Sequence, residues 1–128
     1  MDPVFLTLDE LLAIHLDQVD RYGGSRGIRD LGLLKSAAAM PASTFGDQFL
    51  HQDLAAMAAA YLFHIVSNHP FVDGNKRVGA VAAVVFLELN DVQLDTPEDE
   101  FESLVMGVAE GESDKDDVAE FFRRHIKG

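Results

Sequence analysis

The residues best suited to chemistry lie together in one stretch, 69–77, with the sequence HPFVDGNKR. It brings a histidine, a carboxylate, a glycine, an amide and two cations into nine residues. The following segment, 78–87, is almost wholly apolar, which predicts a buried helix. The sequence therefore predicts a polar loop that leads into the N-terminus of a core helix. The first backbone N–H groups of such a helix have no partner inside it, and its dipole favours a bound anion.

Two cations, Lys76 and Arg77, fall in the first turn of this predicted helix. Cations normally prefer the opposite end of a helix, so their presence indicates that an anion offsets the cost. Gly74 allows a tight turn that directs backbone N–H groups toward such an anion. We predict that Asn75, Lys76 and Arg77 hold phosphate oxygens, Lys76 as a point charge and Arg77 through its planar fork.

The other polar residues of the stretch provide a base and a metal ligand. His69 has the side chain whose ordinary pKa lies near neutrality, as a general base acting on a hydroxyl requires. Asp73 is a hard oxygen ligand that suits one position on Mg²⁺, with phosphates and waters completing the octahedron. Phe71 is expected to anchor the loop in the core. Together these residues predict a nucleotide phosphate site beside a base, and phosphoryl-type transfer requires little more than such positioning.

The stretch resembles the central motif of the Fic/Doc family at every defining position, in the lysine form typical of the Doc (death-on-curing) branch. Residues 29–37, with the sequence RDLGLLKSA, are also typical of Doc-like chains. The resemblance implies a compact single-domain helical bundle over residues 1–128, built around a central buried helix at about 75–90. It also implies ATP and Mg²⁺ as cofactors. A plainer interpretation, a simple turn at 73–75 beside an ordinary helix-end histidine, is disfavoured by the agreement at every position.

The departures from the broader family indicate which reaction to expect. Adenylylating Fic enzymes carry glycine where this chain has Lys76, and a second arginine where it has Ala80. In Doc-like members these changes accompany a reversed nucleotide, which presents its γ-phosphate to the acceptor. The resemblance thus implies transfer of the γ-phosphoryl group to a Ser or Thr hydroxyl of a protein. For Doc that protein is elongation factor Tu, whose modification arrests translation.

Two other functions stay open from the sequence. One is an adenylyl- or other nucleotidyl-transferase that tolerates Lys76 and Ala80. The other is a non-catalytic binding module with the same fold, which the presence of all the proposed catalytic side chains disfavours.

Regulation is also implied by the resemblance. Self-inhibited Fic proteins carry a Ser/Thr-x-x-x-Glu-Gly/Asn helix whose glutamate blocks nucleotide binding. In this chain Glu110 has Met106 in place of the hydroxyl residue, and Glu100 is followed by Phe101. Neither segment matches, so the resemblance implies inhibition in trans by a small antitoxin, as in toxin–antitoxin pairs.

The rest of the chain is predicted to be helical, and strand patterns are nearly absent, so the predicted fold class is all-α. An alanine-rich helix, 54–67, is expected to pack closely against the central helix. The irregular segment 42–53 has two interpretations, either the family's flap, with a short hairpin near 42–50 that docks the target protein, or a plain connecting loop. The other helices are expected from a Thr7 cap to Tyr22, from an Asp30 cap to Ala39, from a Thr96 cap with Pro97 to Gly111, and onward from a Ser113 or Asp114 cap.

The histidines outside the loop are expected to be structural. His64 is not spaced with His69 as the histidine pair of a zinc protease, because a helix end separates them. His15 is expected to be an ordinary, partly buried residue, and His51 and His125 are expected on the surface.

Composition bounds the class of protein. The 128 residues are 48% hydrophobic, enough for one domain, and they include no cysteine, which excludes disulfides and zinc–thiolate sites. The net charge of −12 disfavours direct binding to nucleic acid. It indicates a soluble, self-repelling surface or attraction to a basic partner, and composition does not separate the two. No apolar run reaches the roughly 20 residues of a membrane helix, and no basic-then-apolar leader is present, so a cytoplasmic protein without membrane contact is expected.

Overall fold

The computed structural model describes residues 2–127, which form six α-helices and two small antiparallel strand pairs. In that part of the chain, no helix is both long enough and apolar enough to cross a bilayer. The helices are α1 Leu8–Tyr22, α2 Leu31–Ala39, α3 Leu54–Asn68, α4 Asn75–Leu89, α5 Glu98–Ala109 and α6 Lys115–His125. The strands are β1 Thr44–Phe45, β2 Gln48–Phe49, β3 Gln93–Leu94 and β4 Ile126–Lys127.

The core is built on the pair α3 and α4, as the sequence predicts. The alanines of α3 face α4 and the neighbouring helices, and most of them are fully buried. Gly79 of α4 lies at a close approach of the two helices. A Cβ atom at this position would lie 2.7 Å from Val66 Cγ2 and 3.2 Å from the backbone oxygen of Leu62. Because small residues line the contact, α3 can lie close beside α4 and position the loop that joins them.

We expect Gly79→Ala to lower the free energy of unfolding by about 1–3 kcal/mol, because the new methyl group would press on a buried backbone. Gly107→Ala on α5 is the matched control, since its Cβ would meet only the Ser113 side chain, whose Oγ at 2.7 Å can rotate away and whose Cβ lies at 3.5 Å. Urea unfolding measures both variants. Equal effects of the two substitutions would contradict the close contact of α3 and α4.

Four of the six helices in residues 2–127 begin with a side-chain N-cap, and α4 and α5 do not. Four N-cap side chains accept a hydrogen bond from the first turn of their helix: Thr7, Asp30, Asp53 and Asp114. The predicted Thr96 cap is wrong, because the Thr96 hydroxyl donates to the backbone oxygen of Pro97 and Pro97 itself is the N-cap of α5. Three acidic residues, 98–100, instead complement the dipole at this end.

The strand pairs are short. β1 and β2 form a hairpin, with Thr44 opposite Phe49 and Phe45 opposite Gln48, and Gly46 takes the left-handed conformation at the turn. The hairpin predicted near 42–50 is therefore present. β3 and β4 pair the segment after α4 with the end of the chain. Two-residue strands carry no recognisable alternation, so the sequence does not predict this second pair.

The expectation that His51 lies on the surface is wrong. It is only 6% exposed, and it lies within electrostatic range of His64 and Lys115. The Nζ atom of Lys115 lies 3.3 Å from Nε2 of His64. His125 is half-buried and stacks on Phe121, so it too is not a fully exposed residue. The contact between Lys115 and His64 joins residues 51 positions apart, which local patterns do not reveal.

His64 of α3 predicts how stability changes with pH. Burial, with Lys115 and His51 nearby, lowers the pKa of His64 to about 4 from the usual 6.5. The unfolded chain therefore takes up a proton before the folded chain does, and the free energy of unfolding falls as the pH drops from about 7 toward 4. We expect His64→Gln to flatten the melting temperature plotted against pH over this window. A profile identical to that of the wild type would contradict this assignment.

Candidate active site

The loop between α3 and α4 carries the predicted catalytic residues. His69 is the C-cap of α3 and is exposed, with φ 49° and ψ 56°, a left-handed conformation that few residue types other than glycine adopt readily. Segment 27–30 lies alongside this loop and pairs with it. The backbone N–H groups of Arg29 and Asp30 donate to the oxygen of Pro70 at 2.8 and 3.0 Å, and Val72 donates to Gly27 at 2.9 Å. The loop is therefore held by backbone hydrogen bonds to segment 27–30.

Phe71 anchors the loop in the core, as predicted, and its side chain is fully buried. His15 of α1 stacks on its ring, with centroids 3.8 Å apart, and the Nε2 atom of His15 lies 3.0 Å from the backbone oxygen of Asp73. Burial lowers the pKa of His15, so the ring is neutral and donates its Nε2 proton to that oxygen. His15 is thus a support of the site, which sequence reasoning missed. The available signal was a polar residue on the apolar face of α1.

Asn75 is buried, and its side chain is occupied inside the loop. Its Oδ1 accepts from the N–H of Phe71 at 3.0 Å, and its Nδ2 donates to the oxygen of Phe71, also at 3.0 Å. The amide therefore closes the loop from Phe71 to the start of α4. What Asn75 can offer an anion is its backbone N–H in the first turn of α4.

Asp73 is exposed and sits beside the end of α1. Its Oδ2 accepts from the N–H of Ser25 at 2.9 Å, and Oδ1 has no hydrogen-bond partner within residues 2–127. Over the same residues no cluster of three or more His, Cys, Asp or Glu could hold a metal. The protein thus offers one carboxylate, which fits Mg²⁺, an ion that keeps several waters and is commonly bound through one carboxylate and substrate phosphates.

The N-terminus of α4 differs from that of every other α-helix in the described chain. Its N-cap is Gly74, with φ 84°, and it has neither a capping side chain nor an acidic residue in its first turn. The other five helices have at least one of these. A cavity of about 270 Å³ lies against residues 74–77. The first-turn N–H groups and the positive end of the dipole are therefore left for an anion from outside the chain.

The two cations of the first turn are placed differently. Lys76 is exposed beside the cavity. Arg77 is half-buried, with Nη2 donating to the oxygen of Gly23 at 3.2 Å and its guanidinium 5.3 Å from the ring centre of Tyr22. Its Nε is buried and has no hydrogen-bond partner within residues 2–127. A strong buried donor without a partner is rare in folded proteins, and it fits a site that takes an anion.

A larger cleft of about 480 Å³ continues from this end of α4, between α1, α4 and α5. Lys76, Arg77 and Ala80 form one wall, and Glu98 and Glu102 of α5 lie on the other. Neither glutamate comes within 4.0 Å of a cation there, so Lys76 and Arg77 have no ion pair inside the described part of the chain. The charge of both cations remains available to a ligand.

The loop and the start of α4 therefore hold every residue that the sequence singled out for the site. His69 and Asp73 lie on the loop, and residues 74–77 form the anion cavity. The arrangement can bind a phosphate chain at α4, hold a cation at Asp73 and offer an exposed imidazole to an acceptor. It cannot place the Asn75 amide on a phosphate without breaking two buried hydrogen bonds.

Comparison with known proteins identifies the family of the chain. The family model of the Fic/DOC family matches residues 5–87 of this chain, which include the whole loop and most of α4. The chain is similar to Toxin Doc of Mycolicibacterium smegmatis (strain ATCC 700084 / mc(2)155), with 41% identity over 100 residues that cover 77% of each chain. It is also similar to Protein kinase doc of Escherichia phage P1, with 34% identity over 117 residues, which cover 91% of this chain and 90% of that protein. The chain belongs to the Fic/DOC family.

Proposed function

We propose that this protein is the toxin of a toxin–antitoxin pair and transfers the γ-phosphoryl group of ATP to a Ser or Thr hydroxyl of a protein. The observation that carries the proposal is the N-terminus of α4, which has no capping side chain and no acidic residue in its first turn but carries Lys76 and Arg77 there, beside a cavity. The names of the relatives, Toxin Doc and Protein kinase doc, support both parts of the proposal.

Each residue of the site has a role in this reaction. The backbone N–H groups at the start of α4, with Lys76 and Arg77, bind the phosphate oxygens and offset the charge that spreads over them during transfer. His69 takes the proton of the acceptor hydroxyl. The oxygen then bonds to the γ-phosphorus as the bond to the bridging β–γ oxygen breaks, and ADP leaves. Asp73 would hold Mg²⁺, which supplies further charge neutralisation at the phosphates.

Two residues favour γ-phosphoryl transfer over nucleotidyl transfer. The Lys76 side chain borders the cavity at the backbone of residues 74–77, where glycine would leave room for the phosphates of a transferred nucleotide. Ala80 lines the adjoining cleft and offers no cation to clamp a terminal phosphate there. Both features fit a reversed nucleotide whose γ-phosphate meets the acceptor.

The acceptor that the Doc resemblance implies is elongation factor Tu, and we adopt it for the test. Purified factor would be incubated with this protein, Mg²⁺ and ATP labelled at either the α- or the γ-phosphate. We expect label on the factor from γ-labelled ATP only. Label on the factor from α-labelled ATP would show nucleotidyl transfer and contradict the proposed reaction. No label from either ATP would show that the factor is not the acceptor.

We further propose that an antitoxin inhibits this protein in trans. The cations at the start of α4 have no ion pair with any carboxylate of residues 2–127, so the described chain does not neutralise its own site. A second protein is then the means of control. Because its proposed acceptor is part of the translation machinery, we place the toxin in the cytoplasm.

A further inference from the structure

Arg29 lies outside the catalytic loop but contacts it through its side chain. Its Nε donates a hydrogen bond to the backbone oxygen of His69 at 2.5 Å, and its Nη2 donates to the backbone oxygen of Asn68 at 2.6 Å. These two oxygens belong to the peptide groups on either side of His69. The φ and ψ angles of His69 set how those two peptide planes are oriented relative to each other. One rigid, planar guanidinium therefore fixes the backbone on both sides of the imidazole.

The backbone conformation of His69 requires such support. Its left-handed conformation is one that residues with a side chain adopt only when the surrounding structure holds them in it. The end of α3 also lacks a basic residue in its own last turn. A cation that bonds to the last carbonyls of a helix complements the negative end of its dipole, and Arg29 provides that cation from a distant segment.

The neighbouring arginine shows that this contact is not a general property of the segment. Arg26 forms an exposed ion pair with Asp20. Arg29 has no carboxylate within 4.0 Å anywhere in residues 2–127, and its donors are directed to backbone oxygens instead. Both side chains are exposed, so either can be replaced without opening a cavity in the core.

We propose that Arg29 is a positioning residue for His69. It acts on the α3 side of the loop, whereas the phosphate site lies on the α4 side, so Arg29 contributes to the transfer step and not to nucleotide binding. This inference rests on the proposed function, since it assigns His69 the role of base. It also makes a claim about the backbone at His69 that holds independently of any activity.

The kinetic test compares Arg29→Ala, Arg29→Lys and the matched control Arg26→Ala. We expect Arg29→Ala to lower kcat by roughly 10- to 100-fold and to leave the KM for ATP within about twofold, as loss of positioning alone would do. Lysine can reach one of the two carbonyls, so Arg29→Lys should recover part of the rate. Arg26→Ala should match the wild type. An unchanged kcat in Arg29→Ala, or an equal loss in Arg26→Ala, would overturn the proposal.

The structural test separates this inference from the proposed function. Hydrogen exchange at the amides of residues 69 and 71–72 is followed by NMR in the same three variants, with no acceptor present. We expect faster exchange in Arg29→Ala, partial protection in Arg29→Lys and wild-type protection in Arg26→Ala. If the wild type transfers nothing to any acceptor, the proposed function fails, and this exchange pattern still decides the positioning claim. Exchange at the wild-type rate in Arg29→Ala would overturn the positioning claim. If the alanine variant does not fold, exchange at the wild-type rate in Arg29→Lys would overturn it instead.

Discussion

Replacement of His69 is expected to reduce the rate of phosphoryl transfer by about 10²- to 10⁴-fold, the usual contribution of a general base. The imidazole is exposed at the end of α3, so its removal opens no cavity. Binding of ATP should persist, because the phosphate site is formed by the start of α4 and not by His69. Single-turnover transfer and nucleotide titration measure the two quantities separately.

The choice of variant matters because His69 has φ 49°. Alanine is strained there, whereas asparagine adopts the left-handed conformation more readily than most residues do. We therefore expect His69→Asn to retain the fold and the ATP affinity of the wild type while losing transfer as fully as His69→Ala does. Substantial transfer by His69→Asn would show that the loop backbone, and not the imidazole, is the essential feature.

The second large effect is expected at Asn75, and on stability. Replacing it by alanine leaves the buried N–H and oxygen of Phe71 without partners. Each such group costs about 1–3 kcal/mol, so Asn75→Ala should lower the free energy of unfolding by about 2–6 kcal/mol. Chemical denaturation gives this value directly.

The adjacent residue provides the matched comparison. The Lys76 side chain is exposed and makes no ion pair within residues 2–127, and a cation is unfavourable at a helix N-terminus, so Lys76→Ala should not lower the stability of the ATP-free protein. It should instead weaken ATP binding by about tenfold, more at low salt than at high salt, because its contribution is a charge near phosphates. If Asn75→Ala were stable and bound ATP poorly, the amide would be a phosphate ligand, and the structural role given to it here would be wrong.

Local signals in the sequence were enough to predict most of the fold. The side-chain caps Thr7 and Asp30 mark where α1 and α2 begin, and the glycines after α1 mark where it ends. The apolar run after Arg77 predicts the buried helix α4, and the alanines of α3 predict its close partner. Thr96 does not cap α5 because its hydroxyl donates to the backbone oxygen of the next residue, Pro97. Capping and this local hydrogen bond compete for the same hydroxyl, and the sequence does not show which one forms.

The sequence singles out the residues of the candidate site but not the residues that support them. The candidate stretch is continuous in the chain, so its resemblance to a family motif could be recognised directly. His15, Arg29 and Ser25 contact that stretch from 58, 40 and 48 positions away. Such partners depend on how α1 and the segment after it pack against the loop, which no local pattern specifies. Local patterns also did not reveal the role of Asn75. The sequence indicated a phosphate ligand, whereas its amide bonds to the backbone of Phe71.

The most direct test of the central claim is the intact mass of elongation factor Tu after incubation with this protein, ATP and Mg²⁺. We expect the factor to gain the mass of one phosphoryl group with the wild type and to gain nothing with His69→Asn. A gain of one adenylyl group would contradict the roles given to Lys76 and Ala80. An unmodified factor, under conditions where the protein binds ATP, would contradict the proposed acceptor.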